Sequence, residues 1–217
     1  MFASVQNEVN SRINAVETIL RSIQDGVVLD AEDTLVNNVR KGVFFVVLYG
    51  ALEYTITAAV STVIRTINER SVNINSLQPR LLSIALHPQF DALKDARSKM
   101  WVKRLDLLQK IEFNDLFGAD DNLLPVQNGN IKFKSIEFIW ELFGLSSEVL
   151  PEKRMYGLFD TLAENRMSIA HGRKSPQEVG RSYSKSDLDV FYTSFKTYLS
   201  YVISSFEAYV QKKEYLL

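Results

Sequence analysis

Residues 164–173, Glu-Asn-Arg-Met-Ser-Ile-Ala-His-Gly-Arg, contain an arginine and a histidine whose types and spacing could do chemistry. The guanidinium of Arg166 is a planar fork of donors that matches the oxygens of a phosphate. The imidazole of His171 is the side chain best able to move a proton near neutral pH. RNA carries its own nucleophile, the 2′-hydroxyl, so a proton acceptor and a cation can cleave its backbone without a metal ion. The pair is therefore a candidate for metal-free cleavage of RNA.

The position of this pair in a helix constrains how the two groups could act. Gly172 is suited to the residue that ends a helix with a left-handed backbone, so we expect His171 to lie in the last helical turn. Five residues of ideal helix place Arg166 and His171 about 140° apart around the axis and about 7.5 Å apart along it. One copy therefore presents the two side chains on different faces, and the spacing fits a site completed by a second copy across a two-fold axis.

The composition of the 217-residue chain narrows the chemistry open to it. A hydrophobic content of 46% excludes a disordered chain, and the length favours a single domain over residues 1–217. The absence of cysteine excludes disulfides, thiolate metal sites and cysteine nucleophiles, and two histidines are too few for a histidine-rich metal centre. We therefore expect no metal and no cofactor. The N-terminus lacks the basic and apolar segments of a secretory signal, which predicts a cytoplasmic protein.

Apolar residues recur at steps of three and four along most of the chain, which predicts an all-α fold. We expect a bundle of about five long helices, with one irregular insertion around residues 113–133. The insertion contains Asn128-Gly129, a dipeptide typical of a hairpin turn. The predicted helical stretches are residues 2–23, 31–69, 91–112, 135–143, 148 or 151 to 170, and 187–213, with a polar, basic loop over 172–184.

The stretch 31–69 is the longest predicted helix and contains the most apolar segment of the chain. Gly42 or Gly50 could bend or interrupt it. Residues 43–64 carry a single charge, Glu53, and are long enough to cross a bilayer. A charge at the centre of a span costs about 2.5–3.5 kcal/mol, which favours the central helix of a bundle, with no membrane contact, over a membrane anchor.

Glu53 itself has two interpretations, and the sequence fits both. As a lone acid in an apolar helix it could pair with a buried arginine or tyrosine. It could instead lie beside the motif helix and hold Arg166 or His171 in place. Each interpretation predicts a carboxylate with a partner.

The net charge of −1 gives the chain no global attraction to RNA. Any binding of RNA must therefore come from local basic segments, of which the chain has two. The segment 173–185 begins with Arg173 and Lys174, which are candidates for binding substrate phosphates. The segment 94–110 is either a solvated helix face or a second stripe that faces phosphates.

The run from Arg166 to Gly172 resembles the motif of ribonucleases in the HEPN superfamily (higher eukaryotes and prokaryotes nucleotide-binding). In those proteins four to six residues separate an arginine from a histidine. The Ile-Ala-His-Gly ending is especially similar to small stand-alone members associated with bacterial defence and toxin–antitoxin loci. The segment from Arg40 to Tyr54 is similar to the early core helix of that branch. The likeness covers residues 38–65 and 150–212.

The resemblance implies a helical, homodimeric, metal-independent endoribonuclease whose two motifs face each other. By analogy, Arg166 binds the scissile phosphate and His171 is the general acid or base, giving a 2′,3′-cyclic phosphate and a 5′-hydroxyl. The resemblance also implies a role as a toxin or phage-defence effector, with RNA as substrate and an antitoxin or other defence protein as a possible partner.

One position departs from the family pattern. The family usually has a polar residue, often asparagine, directly after the arginine, whereas this chain has Met167 there and Asn165 before the arginine. Asn165, like Glu53, is therefore a candidate for supporting the site rather than for chemistry. The departure keeps open a second interpretation, in which the chain is a non-catalytic HEPN-fold module for interaction or nucleotide binding.

Overall fold

Helices form nearly all the regular structure of the chain. The computed structural model describes residues 2–25, 30–126 and 130–217, and these ranges contain no β-strand. The all-α prediction is confirmed. The α-helices in the described ranges are α1 (Phe2–Ser22), α2 (Ala31–Glu69), α3 (Leu82–Ala85), α4 (His87–Lys94), α5 (Met100–Glu112), α6 (Phe133–Phe143), α7 (Tyr156–Ala170), α8 (Pro176–Gly180) and α9 (Lys185–Gln211).

Helix α2 is the axis around which the other long helices pack. Asp30 caps its N-terminus, because the Asp30 side chain accepts a hydrogen bond from the backbone N–H of Asp33 at 2.8 Å. The helix is 39 residues long, which corresponds to about 58 Å, and it continues through Gly42 and Gly50 without interruption. Helices α1, α7, α8 and α9 all contact it.

The apolar segment of α2 is covered by these neighbours. Phe44, Phe45 and Leu48 have no measurable exposure, and the same holds for Ile56 and Val63 further along. By length and apolar composition alone α2 is long enough to cross a membrane, yet 56% of its most apolar window is buried inside the molecule. An apolar surface buried on several sides is typical of a central bundle helix.

Helices α1 and α9 supply the other long apolar faces. Both follow the predicted stripes, and α9 begins two residues earlier than expected, at Lys185. Its cap is Ser184, whose hydroxyl accepts from the backbone N–H of Asp187 at 3.1 Å, while the Asp187 carboxylate accepts from the backbone N–H of Ser184 at 2.8 Å. The Asp187 carboxylate also accepts from the Ser184 hydroxyl at 2.7 Å, and this bond, together with the one from the backbone N–H of Ser184, holds the pKa of Asp187 below its ordinary value.

The prediction of one continuous helix over residues 91–112 is wrong. Helix α4 ends at Lys94, a single 3-10 turn follows, and α5 begins at Met100 and packs back against α4. The chain reverses direction at Arg97, which has a φ of 35°. Arginine thus adopts a left-handed backbone conformation that glycine usually occupies. Because α5 packs through one side only, no residue of this helix is buried.

Part of the predicted loop over residues 172–184 is also helical. Ser175 and Glu178 form a capping box that starts the short helix α8. Helix α8 lies backbone against backbone on α2, and two glycines permit the approach. A Cβ atom on Gly42 would lie 2.0 Å from the carbonyl oxygen of Pro176, and one on Gly180 would lie 1.9 Å from that of Asn38. This contact holds α8, and with it the chain after His171, against the centre of the bundle.

The predicted insertion is irregular over its described residues, 113–126 and 130–132. The Asn128-Gly129 turn lies outside the described residues. Helix α6 ends at Phe143 before a left-handed Gly144, as the pattern predicts, and begins at Phe133, two residues before the predicted start. Helix α7 starts later than either predicted position, because residues 153–155 form a 3-10 turn before it.

Candidate functional site

The Arg-His motif lies at the C-terminal end of α7, where the helix terminates as the sequence predicts. His171 is the exposed C-cap residue, and Gly172 follows with a φ of 66°. The backbone N–H of Gly172 donates to the carbonyl of Ile169 at 3.0 Å, and that of Arg173 donates to the carbonyl of Ser168 at 2.9 Å. This is the Schellman arrangement, which fixes the direction in which the chain leaves the helix. The imidazole is consequently presented to solvent from an ordered turn.

Arg166 is held by an aromatic ring of the central helix. Its guanidinium carbon lies 4.9 Å from the centre of the Tyr49 ring, a distance at which a cation is attracted to the face of the ring. Among the described residues no carboxylate forms an ion pair with Arg166. The guanidinium is therefore positioned by packing and keeps its capacity to bind an anion.

Tyr49 is a buried anchor beneath this arginine, only 1% exposed. Its hydroxyl accepts a hydrogen bond from the backbone N–H of Ile131 at 2.8 Å. Burial raises the pKa of Tyr49 above its ordinary value of 10.0; the Ile131 bond and the Arg166 charge oppose this rise, and the nearby Glu53 carboxylate adds to it. The ring therefore remains a neutral phenol beneath the cation at physiological pH.

Glu53 lies one turn after Tyr49 on α2 and is half-buried. Among the described residues it makes no hydrogen bond or ion pair, so the structure gives it neither of the two partners that the sequence interpretations expected. Its recorded influence is electrostatic, through the pKa of Tyr49. A supporting role for Glu53 stays a prediction.

Asn165 joins α7 to the segment between α8 and α9. Its side-chain N–H donates to the hydroxyl of Tyr183 at 2.8 Å. The Tyr183 ring packs against Phe45 of α2, with ring centres 4.6 Å apart, and against Phe191 of α9. The recorded bond of Asn165 therefore ties the motif helix to the bundle, and no hydrogen bond from it to Arg166 or His171 is present in the described part.

A surface cleft of about 490 Å³ lies beside the motif, between α7 and the start of α6. A cleft of this size is in the range that accommodates small ligands or one nucleotide. It combines two aromatic rings with three basic and two acidic side chains, and none of the charged groups forms an ion pair within the described ranges. The lining residues are Lys132, Phe133, Lys134, Tyr156, Asp160, Glu164, Met167 and Arg173.

The cleft and the motif histidine share one face of α7. Asp160, Glu164, Met167 and His171 follow one another at steps of four, three and four, so on an ideal helix they lie within about 60° of each other. Arg166 lies on another side of the helix, toward α2. The two motif side chains thus have different surroundings: Arg166 lies over the buried Tyr49 ring, and His171 is exposed to solvent.

The two substrate-binding candidates after the motif take different positions. Both Arg173 and Lys174 are exposed, and their backbone N–H groups both donate to the carbonyl of Ser168, at 2.9 and 3.1 Å. Arg173 lines the cleft with Lys132 and Lys134, whereas Lys174 does not.

Sequence reasoning missed Tyr49 as a partner of Arg166 and missed the cleft. The stripe at 156, 160, 164 and 167 was visible as a helical periodicity that leads to His171, and it could have indicated the α7 side. No local pattern connects Tyr49 or Lys132 to the motif, because both contacts are made across the fold.

The motif can bind an anion at Arg166 and transfer a proton at His171, and these two side chains are neighbours that lie on different sides of α7. The guanidinium of Arg166, which forms no ion pair with any residue that the structure describes, suits a phosphate, and the exposed His171 suits proton transfer with a bound group. The cleft offers the exposed ring of Tyr156 for stacking and Lys132, Lys134 and Arg173 for phosphate oxygens.

Comparison with known proteins agrees with this helical arrangement. The family model described as RiboL-PSP-HEPN matches residues 7–208, a range that contains the central helix, the motif and the cleft. Neither the curated proteins nor the solved structures give a significant match to the chain.

Proposed function

The chain belongs to the RiboL-PSP-HEPN family, and from this membership we propose that it is a metal-independent endoribonuclease that cleaves RNA through the 2′-hydroxyl. Membership of a HEPN family by itself indicates a nuclease or nucleotide-binding role. The observation that carries the finer proposal is the state of Arg166, whose guanidinium is held over the Tyr49 ring without a carboxylate partner in the described part of the chain. An arginine positioned and left unpaired in this way is suited to a phosphate ligand.

In the proposed reaction the substrate supplies the nucleophile. One histidine removes the proton of a 2′-hydroxyl, and the 2′-oxygen attacks the adjacent phosphorus. The bond from phosphorus to the 5′-oxygen breaks, and that oxygen receives a proton from an imidazolium. Arg166 stabilises the negative charge that accumulates on the phosphate oxygens. The products are a 2′,3′-cyclic phosphate and a 5′-hydroxyl, and no metal ion takes part.

We propose that two copies of the chain form the working site. Arg166 and His171 of one chain are about 140° apart on an ideal helix, so a single copy does not aim both at one phosphate. A two-fold axis near the end of α7 would bring two arginines and two histidines around one groove. Such a site also provides one histidine as base and a second as acid.

The cleft beside the motif supports RNA as the substrate class. A nucleotide next to the scissile phosphate could stack on the half-exposed ring of Tyr156, while Lys132 and Arg173 contact its phosphates. The carboxylates of Asp160 and Glu164 repel phosphate, and in a nucleotide cleft their use is to accept hydrogen bonds from N–H groups of the base.

A non-catalytic HEPN-fold module is the second candidate, and Met167 is the observation that favours it. Its side chain lines the cleft where the family usually has a polar group, so one side chain able to bond a phosphate or orient the histidine is missing. Under this candidate the cleft binds a nucleotide and the chain cleaves nothing.

The proposed biological role is that of a cytoplasmic toxin or phage-defence effector, because an endoribonuclease that needs only a second copy of itself and no cofactor is active as soon as it dimerises. Such an enzyme needs control by a partner, and an antitoxin or another defence protein would provide it.

The test is cleavage of a fluorogenic RNA by purified protein in excess EDTA. We expect cleavage by the wild type and a loss of about 10²- to 10⁴-fold for His171→Ala, the range for a lost general acid or base. His87→Ala is the matched control, because His87 is the other histidine and lies at the start of α4, where it pairs with Asp91 at 3.1 Å. We expect it to retain full activity.

Three outcomes would count against the proposal. Cleavage that requires Mg²⁺ would exclude the metal-free mechanism, and cleavage that survives His171→Ala would exclude the proposed proton transfer. Binding of nucleotides by a folded wild type that cleaves no RNA would favour the non-catalytic module. End-group analysis adds a chemical check, since only attack by the 2′-hydroxyl leaves a cyclic phosphate.

A further inference from the structure

The outer side of α5 is apolar and uncovered. Trp101, Leu105 and Leu108 follow at steps of four and three, so they lie on one side of the helix, and they are 77%, 55% and 60% exposed. Leu107 and Ile111, on the side of the helix next to this stripe, are partly buried toward the rest of the molecule. A surface helix ordinarily turns its polar side to solvent, so an exposed apolar stripe marks an interaction site.

Neighbouring side chains extend this stripe into a larger surface. Val102 is 58% exposed beside Trp101, and Phe113 is 72% exposed just after the end of the helix. We call the surface formed by Trp101, Val102, Leu105, Leu108 and Phe113 the α5 face. Elsewhere in the described chain, large exposed apolar residues occur singly or in pairs, as at Val190 of α9.

The N-terminal half of the α5 face is surrounded by positive charge. Residues 97–104 contain four basic side chains and no acidic one. Lys103 is paired with Asp106 at 3.2 Å, but among the described residues Arg97, Lys99 and Arg104 form no ion pair. The guanidinium of Arg104 lies 4.7 Å from the centre of the Trp101 ring. Tryptophan and arginine together are typical of the residues that dominate protein–protein binding energy.

The base of α5 is fixed even though its outer side is free. The side chain of Asn75 donates to the carbonyl of Ile111 at 3.0 Å, and the backbone N–H of Ile74 donates to the carbonyl of Asp115 at 2.9 Å. Phe117, a little further on, is buried in the core. The helix is thus presented from an anchored base, which lowers the entropy cost of binding a partner.

We propose that the α5 face binds a partner protein through an acidic amphipathic helix. Apolar side chains of the partner helix would cover Trp101, Leu105 and Leu108, and its flanking carboxylates would pair with Arg97, Lys99 and Arg104. The positive charge of residues 97–104 favours an acidic partner, and a second copy of this chain is one of the outcomes that the test below separates. The three exposed aliphatic side chains of the face, Val102, Leu105 and Leu108, favour a protein over RNA, because bases stack on aromatic and guanidinium groups.

The fluorescence emission of Trp101 reports binding at the α5 face. The other tryptophan, Trp140, is 3% exposed and packs on Phe206, so a blue shift of the emission on binding comes from burial of Trp101. The probe is a synthetic peptide of about 18 residues with leucines at helical spacing and glutamates on both flanks. The matched peptide has lysine at every glutamate position. We expect saturable binding of the acidic peptide, at least about tenfold weaker binding of the lysine peptide, and weakening with added salt.

Variants locate the binding on the α5 face. Leu105→Ser and the double variant Arg97→Glu, Lys99→Glu change exposed side chains, so we expect unchanged thermal unfolding and about tenfold weaker binding of the acidic peptide. Val190→Ser is the matched control, because Val190 is 54% exposed on another helix. We expect it to bind like the wild type.

Four outcomes would overturn the proposal. The first is equal binding of the acidic and lysine peptides, and the second is binding that Leu105→Ser leaves unchanged. The third is a blue shift with anionic phospholipid vesicles or single-stranded RNA but not with the acidic peptide. The fourth is self-association, followed by sedimentation velocity, that Leu105→Ser abolishes. RNA cleavage is not part of this test, so its result is independent of the proposed ribonuclease activity.

Discussion

Replacing Gly42 by alanine tests whether the contact between α2 and α8 is as close as the structure has it. The added Cβ would lie 2.0 Å from the carbonyl oxygen of Pro176 and 2.6 Å from its carbonyl carbon, and both atoms belong to backbone that no rotamer change can move. Ordinary contact begins near 3.4 Å, so α8 must retreat by about 1.4 Å. Overpacking of this kind typically costs about 1–3 kcal/mol.

Gly50 provides the matched control on the same helix. A Cβ there meets nothing within 4 Å, so Gly50→Ala carries only the better helix propensity of alanine, a gain of about 1 kcal/mol. Gly42→Ala receives the same gain but loses more through the clash. For a chain of this size 1 kcal/mol shifts the melting temperature by about 2–4 °C. A clash with backbone at the upper end of that range, about 3 kcal/mol, leaves Gly42→Ala a net loss of about 2 kcal/mol. We therefore expect Gly50→Ala to raise Tm by about 2–4 °C and Gly42→Ala to lower it by about 4–8 °C.

Calorimetric or circular-dichroism melting of the two variants decides the matter. The informative quantity is the sign of the two shifts, since it does not depend on the absolute size of either. If Gly42→Ala stabilises the protein as much as Gly50→Ala does, then α8 does not lie on α2 and the placement of the chain after His171 must be redrawn.

Three further predictions concern the site and its supports. Mixing equal amounts of wild-type and His171→Ala chains should leave about one quarter of the wild-type RNA cleavage, because half of the randomly paired dimers are mixed and carry a single histidine in the shared groove; retention of one half would exclude a site that needs both histidines. Tyr49→Phe keeps the ring but leaves a buried backbone N–H without its acceptor, so we expect chemical denaturation to show a loss of about 1–3 kcal/mol, and no loss would contradict the observed bond. The depressed pKa of Asp187 implies stabilisation that is present above the ordinary carboxyl pKa, near pH 4, and is lost as the pH falls through the folded-state value. The difference in Tm between the wild type and Ser184→Ala should therefore shrink from pH 7 to pH 3, whereas a constant difference would refute it.

The sequence predicted the parts of the fold that local patterns determine. The apolar stripes of α1, α2 and α9 are visible as periodicity, and the ends of α6 and α7 are marked by Gly144 and Gly172, which both adopt a left-handed backbone. The capping box at Ser175 and Glu178 was also visible in the sequence, but the polar composition of residues 172–184 concealed it.

The parts that the sequence did not predict depend on contacts across the fold. No glycine or proline marks the reversal between α4 and α5, and Arg97 adopts its left-handed backbone because the two helices pack against each other. The contact of Tyr49 with Arg166 joins residues that are far apart along the chain, so spacing cannot indicate it. Of the predicted site, the motif lies where expected, whereas the surroundings that orient Arg166 required the structure.

The unbroken course of α2 fixes the distance between the surface around the Arg-His motif and the α5 face. Tyr49 beneath the motif and Arg70 at the end of the helix are 21 residues apart, about 30 Å on a rigid rod, and the segment that anchors α5 follows directly. A protein bound at the α5 face would thus lie at a fixed distance from the Arg-His motif, where we propose that RNA is cleaved. If that protein itself bound RNA, the complex would raise the local concentration of RNA near the motif. The bound protein, and not the cleft, would then determine which RNA is cleaved.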